Sequence, residues 1–112
     1  MNWNILSEIA QLDGLKEESR QKPVVIFKHS IRCSISSMAK SRLERSQAPE
    51  GVSFYYLDLI NNRALSNQVA ETFGVHHESP QVLLLRNGDC VYDESHNGID
   101  MQEIANEAFR NS

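Results

Sequence analysis

The sequence predicts an α/β fold: one four-stranded mixed sheet with helices on both faces. Three observations predict it. Two apolar runs rich in β-branched and aromatic residues, Val24-Val25-Ile26-Phe27 and Val52 to Asp58, are separated by a segment of helical period. A strand–helix–strand unit of this kind makes a parallel pair with a right-handed crossover. Two further runs, Val82–Leu85 and Asp89–Asp93, are joined by Asn87-Gly88, which favours a tight hairpin and so an antiparallel pair. Apolar residues at helical spacing precede, separate and follow these strands, giving the order α-β-α-β-α-β-β-α.

Each element has its own signal. From Asn4 to about Asp13, Ile5, Leu6, Ile9 and Leu12 share one helical face, and Gly14 is the expected stop. Lys16 to Lys22 is polar and charged and reads as a surface connection. Pro23 opens the first strand, whose unbroken apolar run implies burial on both faces. Behind it Ile35, Met38, Ala39 and Leu43 form the apolar face of a helix running to about Ser46. Ala48-Pro49-Glu50-Gly51 breaks the chain before the second strand. Leu65, Val69 and Phe73 mark a short helix that Gly74 closes. The last helix starts at Asp100 as N-cap, with Glu103 at the capping-box position and Ile99 and Ile104 as the hydrophobic staple. Met101, Ile104, Ala105, Ala108 and Phe109 form its apolar face. Trp3 is read as a packing residue near the first helix.

The bulk numbers narrow the function class. A chain of 112 residues, 40% hydrophobic, suits one domain spanning 1–112 around one core. A net charge of −4 without a long basic run argues against nucleic acid or a membrane surface as partner. No stretch approaches the ~20 apolar residues of a membrane span. Met1-Asn2-Trp3-Asn4 lacks the basic start and apolar core of a secretory signal, so the expected location is the cytoplasm. Two cysteines, Cys33 and Cys90, are too few for a disulfide framework. There is no CxxC, and the adjacent His76-His77 points its side chains apart on any regular element, so no metal site is expected.

Cys33 carries the chemistry. It stands behind the first strand and at the start of the next helix, in Lys28-His29-Ser30-Ile31-Arg32-Cys33-Ser34-Ile35-Ser36. A thiol reacts as its thiolate, and a helix N-terminus favours that form through unpaired N–H groups and the positive end of the helix dipole. Thiols so placed have pKa values lowered from about 8.5 to between about 3.5 and 7.5. The expected donors are the N–H groups of Ile35 and Ser36, with the Ser36 hydroxyl as a third. Lys28, His29 and Arg32 add positive potential. The alternative is a buried filler, but Cys33 falls at a strand–helix junction and not on an apolar stripe.

Ser36 sets the reaction class. A second thiol at that position would resolve the first mixed disulfide, and a hydroxyl cannot. Exchange then runs between Cys33 and mixed disulfides that join proteins to a small thiol. Ser36 reads equally as a helix cap. Ser79-Pro80 directly precedes the third strand. In the thioredoxin arrangement, which this element order matches, that loop carries a cis proline beside the reactive cysteine. The residue before it, here Ser79, offers backbone groups to an extended chain. His76 and His77 read as solvated loop histidines, with a proton shuttle to Cys33 as the alternative. Cys90 reads as half-buried packing on the last strand. Its functional alternative is a distal resolving thiol, which requires its Cα within about 7 Å of that of Cys33.

These segments resemble the monothiol bacilliredoxin family, also described as bacillithiol-system redox-active or general-stress proteins, over nearly the whole chain. The resemblance rests on the Trp3 segment, Ile26-Phe27-Lys28-His29-Ser30, Cys33 with Ile35-Ser36, Ser79-Pro80-Gln81, and Ser95-His96. The Phe-Lys-His-Ser…Cys-x-Ile-Ser block is its specific part. Family members often carry proline where this chain has Ser34, a departure that alters local rigidity and thiolate stabilisation and leaves the nucleophile in place. The resemblance implies a thioredoxin-like fold and removal of bacillithiol from S-bacillithiolated client proteins, with Cys33 attacking. Bacillithiol is then a co-substrate, and no cofactor is bound. Its malate and glucosamine require donors. The backbone N–H groups of Asn97-Gly98-Ile99, or Lys28 and Arg32, are the expected anchors, and Asp100 opposes an anion unless capping occupies it. Two readings from other classes stay open. One is a monothiol glutaredoxin-like iron–sulfur cluster carrier, and the other is a redox-inactive thioredoxin-fold interaction module.

Overall fold

The computed structural model of the chain describes residues 1–110. Five strands form one sheet: β1 (Trp3–Ile5), β2 (Val24–His29), β3 (Ser53–Asp58), β4 (Gln81–Arg86) and β5 (Asp89–Ser95). Four helices flank it: α1 (Gln11–Glu18), α2 (Ser34–Arg45), α3 (Arg63–Phe73) and α4 (Met101–Ala108). The strand order is β1-β3-β2-β4-β5. β1, β3 and β2 are mutually parallel, and β4 and β5 add antiparallel to β2.

The fifth strand corrects the expectation of four. Trp3 to Ile5 pairs with Phe54 to Tyr56, and the Leu6 N–H continues the ladder to the Tyr56 carbonyl at 2.9 Å. Ile5 and Ile9, counted toward a helical face, are exposed. The first helix lies further on, and Gly14 sits inside it while Ser19 caps its end. Ile5, Leu6, Ile9 and Leu12 fit a helical period by spacing alone. The decisive interaction is non-local: Trp3 stacks on Phe27 at 5.6 Å between ring centroids and meets Phe54 and Tyr56 edge-on. An edge strand brings the indole over the sheet, and its N–H donates to Glu44 on α2 at 2.9 Å.

Alternation along β2 sends Val25 and Phe27 to one face, with Ala39 and Leu43 of α2 and Ile104 and Ala108 of α4. Val24 and Ile26 face the other way, toward Leu12 and Leu15 of α1 and Leu65 and Val69 of α3. The hairpin turns at Asn87 and Gly88, with φ of 55° and 84°, as a primed two-residue turn requires. Gly74 ends α3 in the left-handed conformation at φ 64°. At α4 the Glu103 N–H donates to the Asp100 carboxylate at 3.2 Å. Phe109 falls beyond the end of α4 and is exposed rather than part of its apolar face.

A polar clamp at the far end of the sheet ties α1 to β3. The Glu18 carboxylate accepts from the Ser53 hydroxyl and, at 2.7 Å, from the Tyr55 hydroxyl, and Lys22 lies 3.6 Å away. Burial pushes this carboxyl up, but the hydrogen bonds and the Lys22 charge outweigh it, and the net shift is downward. A depressed carboxyl contributes stability above its unfolded value, and this is lost as pH falls through the folded one. Acidification below about pH 4 should therefore lower the melting temperature, and Glu18→Gln should flatten that dependence. Thermal melts of both proteins from pH 3 to 7 check this; parallel curves would refute it.

Candidate active site

The ends of three strands meet at one edge of the sheet. β2 ends at His29, β4 begins at Gln81 opposite Lys28, and β5 ends at Ser95 opposite Gln81. The loops that continue them hold Cys33, Ser79-Pro80 and His96–Gly98. The Ser79–Pro80 peptide is cis, and the Pro80 carbonyl accepts from the His96 N–H at 3.0 Å. Arg42 of α2 donates to the carbonyls of His96 and Ile99, at 3.2 and 3.1 Å, which braces the third loop against the helix. His96 also lies 3.8 Å from Glu78, joining the third loop to the second.

Cys33 is the N-cap of α2, with extended backbone at φ −109° and ψ 121°. It is partly buried. Its carbonyl accepts the first intrahelical bond, from Ser37 N–H at 3.0 Å, so the N–H groups of Ser34, Ile35 and Ser36 precede the helical ladder. The thiol itself makes no capping bond, where Ile35 and Ser36 were the expected donors. In this geometry the Ser36 hydroxyl is engaged by His29 and Ser30 and not by the thiol. Ser36 is fully buried, accepts from the Ser30 N–H at 3.0 Å and sits 2.7 Å from His29 Nδ1. This pair also changes which face of α2 is buried. Ser36, Ala39 and Leu43 point inward, and Ile35 and Met38, expected in the core, are exposed.

His29, expected only to add positive potential near Cys33, has a more specific place: it is buried and bonded to Ser36. Its imidazole packs against the rings of the cross-strand pair Phe27 and Tyr56, at 5.8 and 5.6 Å. Burial, and then the Lys40 charge, hold it below the ordinary imidazole range against the opposing pull of Asp58, Ser36 and Glu44. The available signal was its place at the C-terminal end of a parallel strand, next to the reactive loop.

Several expected contributors stand elsewhere. Arg32 is exposed in the turn before Cys33. Lys28 is fully buried on the α3 side of the sheet, and its ammonium meets His77 Nδ1 at 3.2 Å. Burial pulls its pKa down to about 8. It is therefore not an exposed anchor beside Cys33, and His77 serves Lys28 and not the thiol. The 96–99 turn is a poor anion site, because the Ile99 N–H already bonds the His96 carbonyl and the Glu94 carboxyl packs on Gly98. A Cβ at Gly98 would lie 2.5 Å from Glu94 Cδ, so a larger residue there would require the Glu94 side chain to swing away. Ser79 Oγ is buried with no hydrogen-bond partner among the described residues. No group of three or more His, Cys, Asp or Glu side chains among them is arranged to hold a metal ion.

Cys90 pairs with Leu85 at the opposite end of the sheet, on the α1/α3 face. Leu85 is opposite Val24, five residues from His29 along β2, or about 16 Å at strand rise. That distance removes Cys90 as a resolving thiol, since a disulfide needs Cα atoms within about 7 Å. Its thiol donates to the Tyr92 carbonyl at 3.4 Å, and burial pushes its pKa up to about 11. Iodoacetamide at pH 8 should leave Cys90 unmodified in the folded protein and label it in denaturant. Equal labelling of both cysteines under native conditions, read by peptide mass, would contradict this placement.

The family model for the monothiol bacilliredoxin BrxC matches residues 4–104. The chain belongs to the monothiol bacilliredoxin family. Among solved structures, a candidate oxidoreductase with a thioredoxin fold is 32% identical, with a TM-score of 0.81, covering 95% of this chain and 92% of its own. Thioredoxin f2 of Chlamydomonas reinhardtii superposes with a TM-score of 0.73 at 19% identity, covering 99% and 100%. Fasciola hepatica thioredoxin gives 0.71 at 17%, covering 97% and 99%. The fold is thus thioredoxin-like. This bacilliredoxin-family chain is a redox protein of the bacilliredoxin type, with Cys33 at the edge of the sheet where the three loops meet. No helix among its described residues is long and apolar enough to cross a membrane.

Proposed function

We propose that this chain is a cytoplasmic monothiol oxidoreductase that removes bacillithiol from S-bacillithiolated proteins through Cys33. The observation that carries this reading is the Cys33–Ser36 arrangement. The cysteine heads α2, the residue three positions on is a buried serine, and Cys90 lies at the far end of the sheet. One thiol without a resolving neighbour suits the transfer of a small thiol.

The Cys33 thiolate attacks the bacillithiol sulfur of the mixed disulfide. The S–S electron pair leaves with the client sulfur, which departs as a thiolate and takes a proton from water. Cys33 now carries bacillithiol. A second small thiolate attacks the bacillithiol sulfur and Cys33 leaves as its thiolate, so the electrons come from that thiol. The first-turn N–H groups of α2 stand where the departing charge forms. Ser79 offers backbone groups to an extended client segment, as in strand addition. Arg32 is the exposed cation nearest in sequence and the proposed partner of the malate carboxylates.

The test is intact mass after incubating reduced protein with oxidised bacillithiol and, separately, oxidised glutathione. One adduct on Cys33, formed preferentially from bacillithiol, is expected. No adduct, or an adduct on Cys90 alone, rejects the proposal.

A further inference from the structure

Ser36 Oγ has two lone pairs and one hydrogen. One lone pair takes the Ser30 N–H at 3.0 Å. The contact with His29 Nδ1, at 2.7 Å, then has two forms. With a neutral imidazole, the hydroxyl hydrogen points to Nδ1 and the ring hydrogen sits on Nε2. With an imidazolium, Nδ1–H donates to Oγ, both lone pairs are filled, and the hydroxyl hydrogen must turn to another acceptor. Cys33 is the N-cap and Ser36 the third residue of the same helix, the two positions whose side chains and backbone approach each other in a capping box.

We propose that His29 is a positioning residue for Cys33: the proton on its Nδ1 decides whether the Ser36 hydroxyl hydrogen is held by the imidazole or turned toward the thiolate. This inference rests on the reading of Cys33 as the reacting thiol. Ser36 then does more than replace a resolving cysteine, because it passes the charge state of His29 to the sulfur. Donation from Ser36 makes Cys33 a better leaving group and a weaker nucleophile. The imidazolium form thus favours release of the small thiol, and the neutral form favours attack on the client. No bond to carbon or sulfur is made or broken in the switch, and one proton exchanges with water.

The surroundings suit the role. Phe27 and Tyr56 hold the ring plane, and an open groove of about 320 Å³ lined by His29, Ser37, Lys40, Glu44 and Tyr56 connects the site to solvent protons. The charged and titratable groups facing the imidazole are Lys40 and Glu44 on α2 and Tyr56 and Asp58 on β3. Lys40 opposes protonation, and the two carboxylates favour it. Lys40 is itself paired with Glu44 at 2.8 Å.

The experiment is an NMR titration of the His29 ring in reduced wild type, Cys33→Ser and Ser36→Ala. Charge on Cys33 and charge on His29 favour each other through the hydroxyl, so the wild-type midpoint should exceed that of Cys33→Ser by about 0.5 pH unit or more. Ser36→Ala in the Cys33 background should erase the difference, and Ser36→Thr, which keeps a hydroxyl, should retain it. Equal midpoints in wild type and Cys33→Ser overturn the inference. A difference that survives Ser36→Ala undiminished also overturns it, because through-space charge then carries the coupling. If Ser36→Ala does not fold, Ser36→Gly takes its place, and equal midpoints in wild type and Cys33→Ser overturn the inference whichever variant is used. Adduct formation on wild-type Cys33 is read separately. A normal adduct with equal midpoints rejects the role of His29 and leaves the proposed activity standing, whereas absence of the adduct rejects the activity.

Discussion

Cys33→Ala is expected to abolish both the bacillithiol adduct and turnover of a bacillithiolated client, while Cys90→Ala leaves both unchanged. Removing the sole attacking atom leaves only the solution exchange rate, so the loss should be complete within detection. The asymmetry follows from position. Cys33 caps a helix at the edge where three loops meet, and Cys90 packs under the far end of β5 with its thiol pushed up to about 11. The measurement is release of client thiol against time, with intact mass on each variant. Slowed release in Cys90→Ala would show that the second thiol completes the cycle and would undo the one-cysteine scheme.

Phe27→Ala is expected to cost about 3–5 kcal/mol of folding stability and lower the melting temperature by about 10–25 °C. Phe27 is fully buried and stacks on Trp3 and His29 at 5.6 and 5.8 Å. Its loss opens a cavity that sheet and α2 cannot close together. A domain of this size has roughly 5–15 kcal/mol in total, so the variant should unfold at much lower urea. The cavity also loosens the wall against which the His29 imidazole rests. Phe27→Leu should cost less, about 1–2 kcal/mol, because most of the volume is kept. Urea melts of the two variants check the ranking, and a cost below about 1 kcal/mol for Phe27→Ala would mean the site collapses without strain.

The parts of the fold that were legible in the sequence are those encoded locally. Asn87-Gly88 supplies the two positive-φ residues of the hairpin, and Asp100 with Glu103 marks the start of α4. Gly74 tolerates the left-handed end of α3. Each signal acts within a few residues, so the chain need not be folded for it to be read. The first segment carries an apolar spacing that fits a helix, while the partner that decides its conformation, β3, lies about fifty residues away. The apolar face of α2 was half wrong for a related reason. Ser36 is buried by its bonds to His29 and Ser30, and its polarity alone would place it outside.

The candidate site divides along the same line. By itself the sequence determined that a lone cysteine stands between a buried strand and a helix, with serine where a resolving thiol would be and Ser79-Pro80 ahead of the next strand. These are properties of chemical type and short spacing. Only the tertiary structure decided what each neighbour does. Alternation along β2 turns Lys28 to the α3 face and His29 to the α2 face, so the cation first counted toward the thiol is buried against His77. The β4–β5 register carries Cys90 to the opposite end of the sheet. Residue type fixes what chemistry a side chain has, but strand pairing and side-chain direction fix what it touches. Those depend on contacts between segments far apart in the chain.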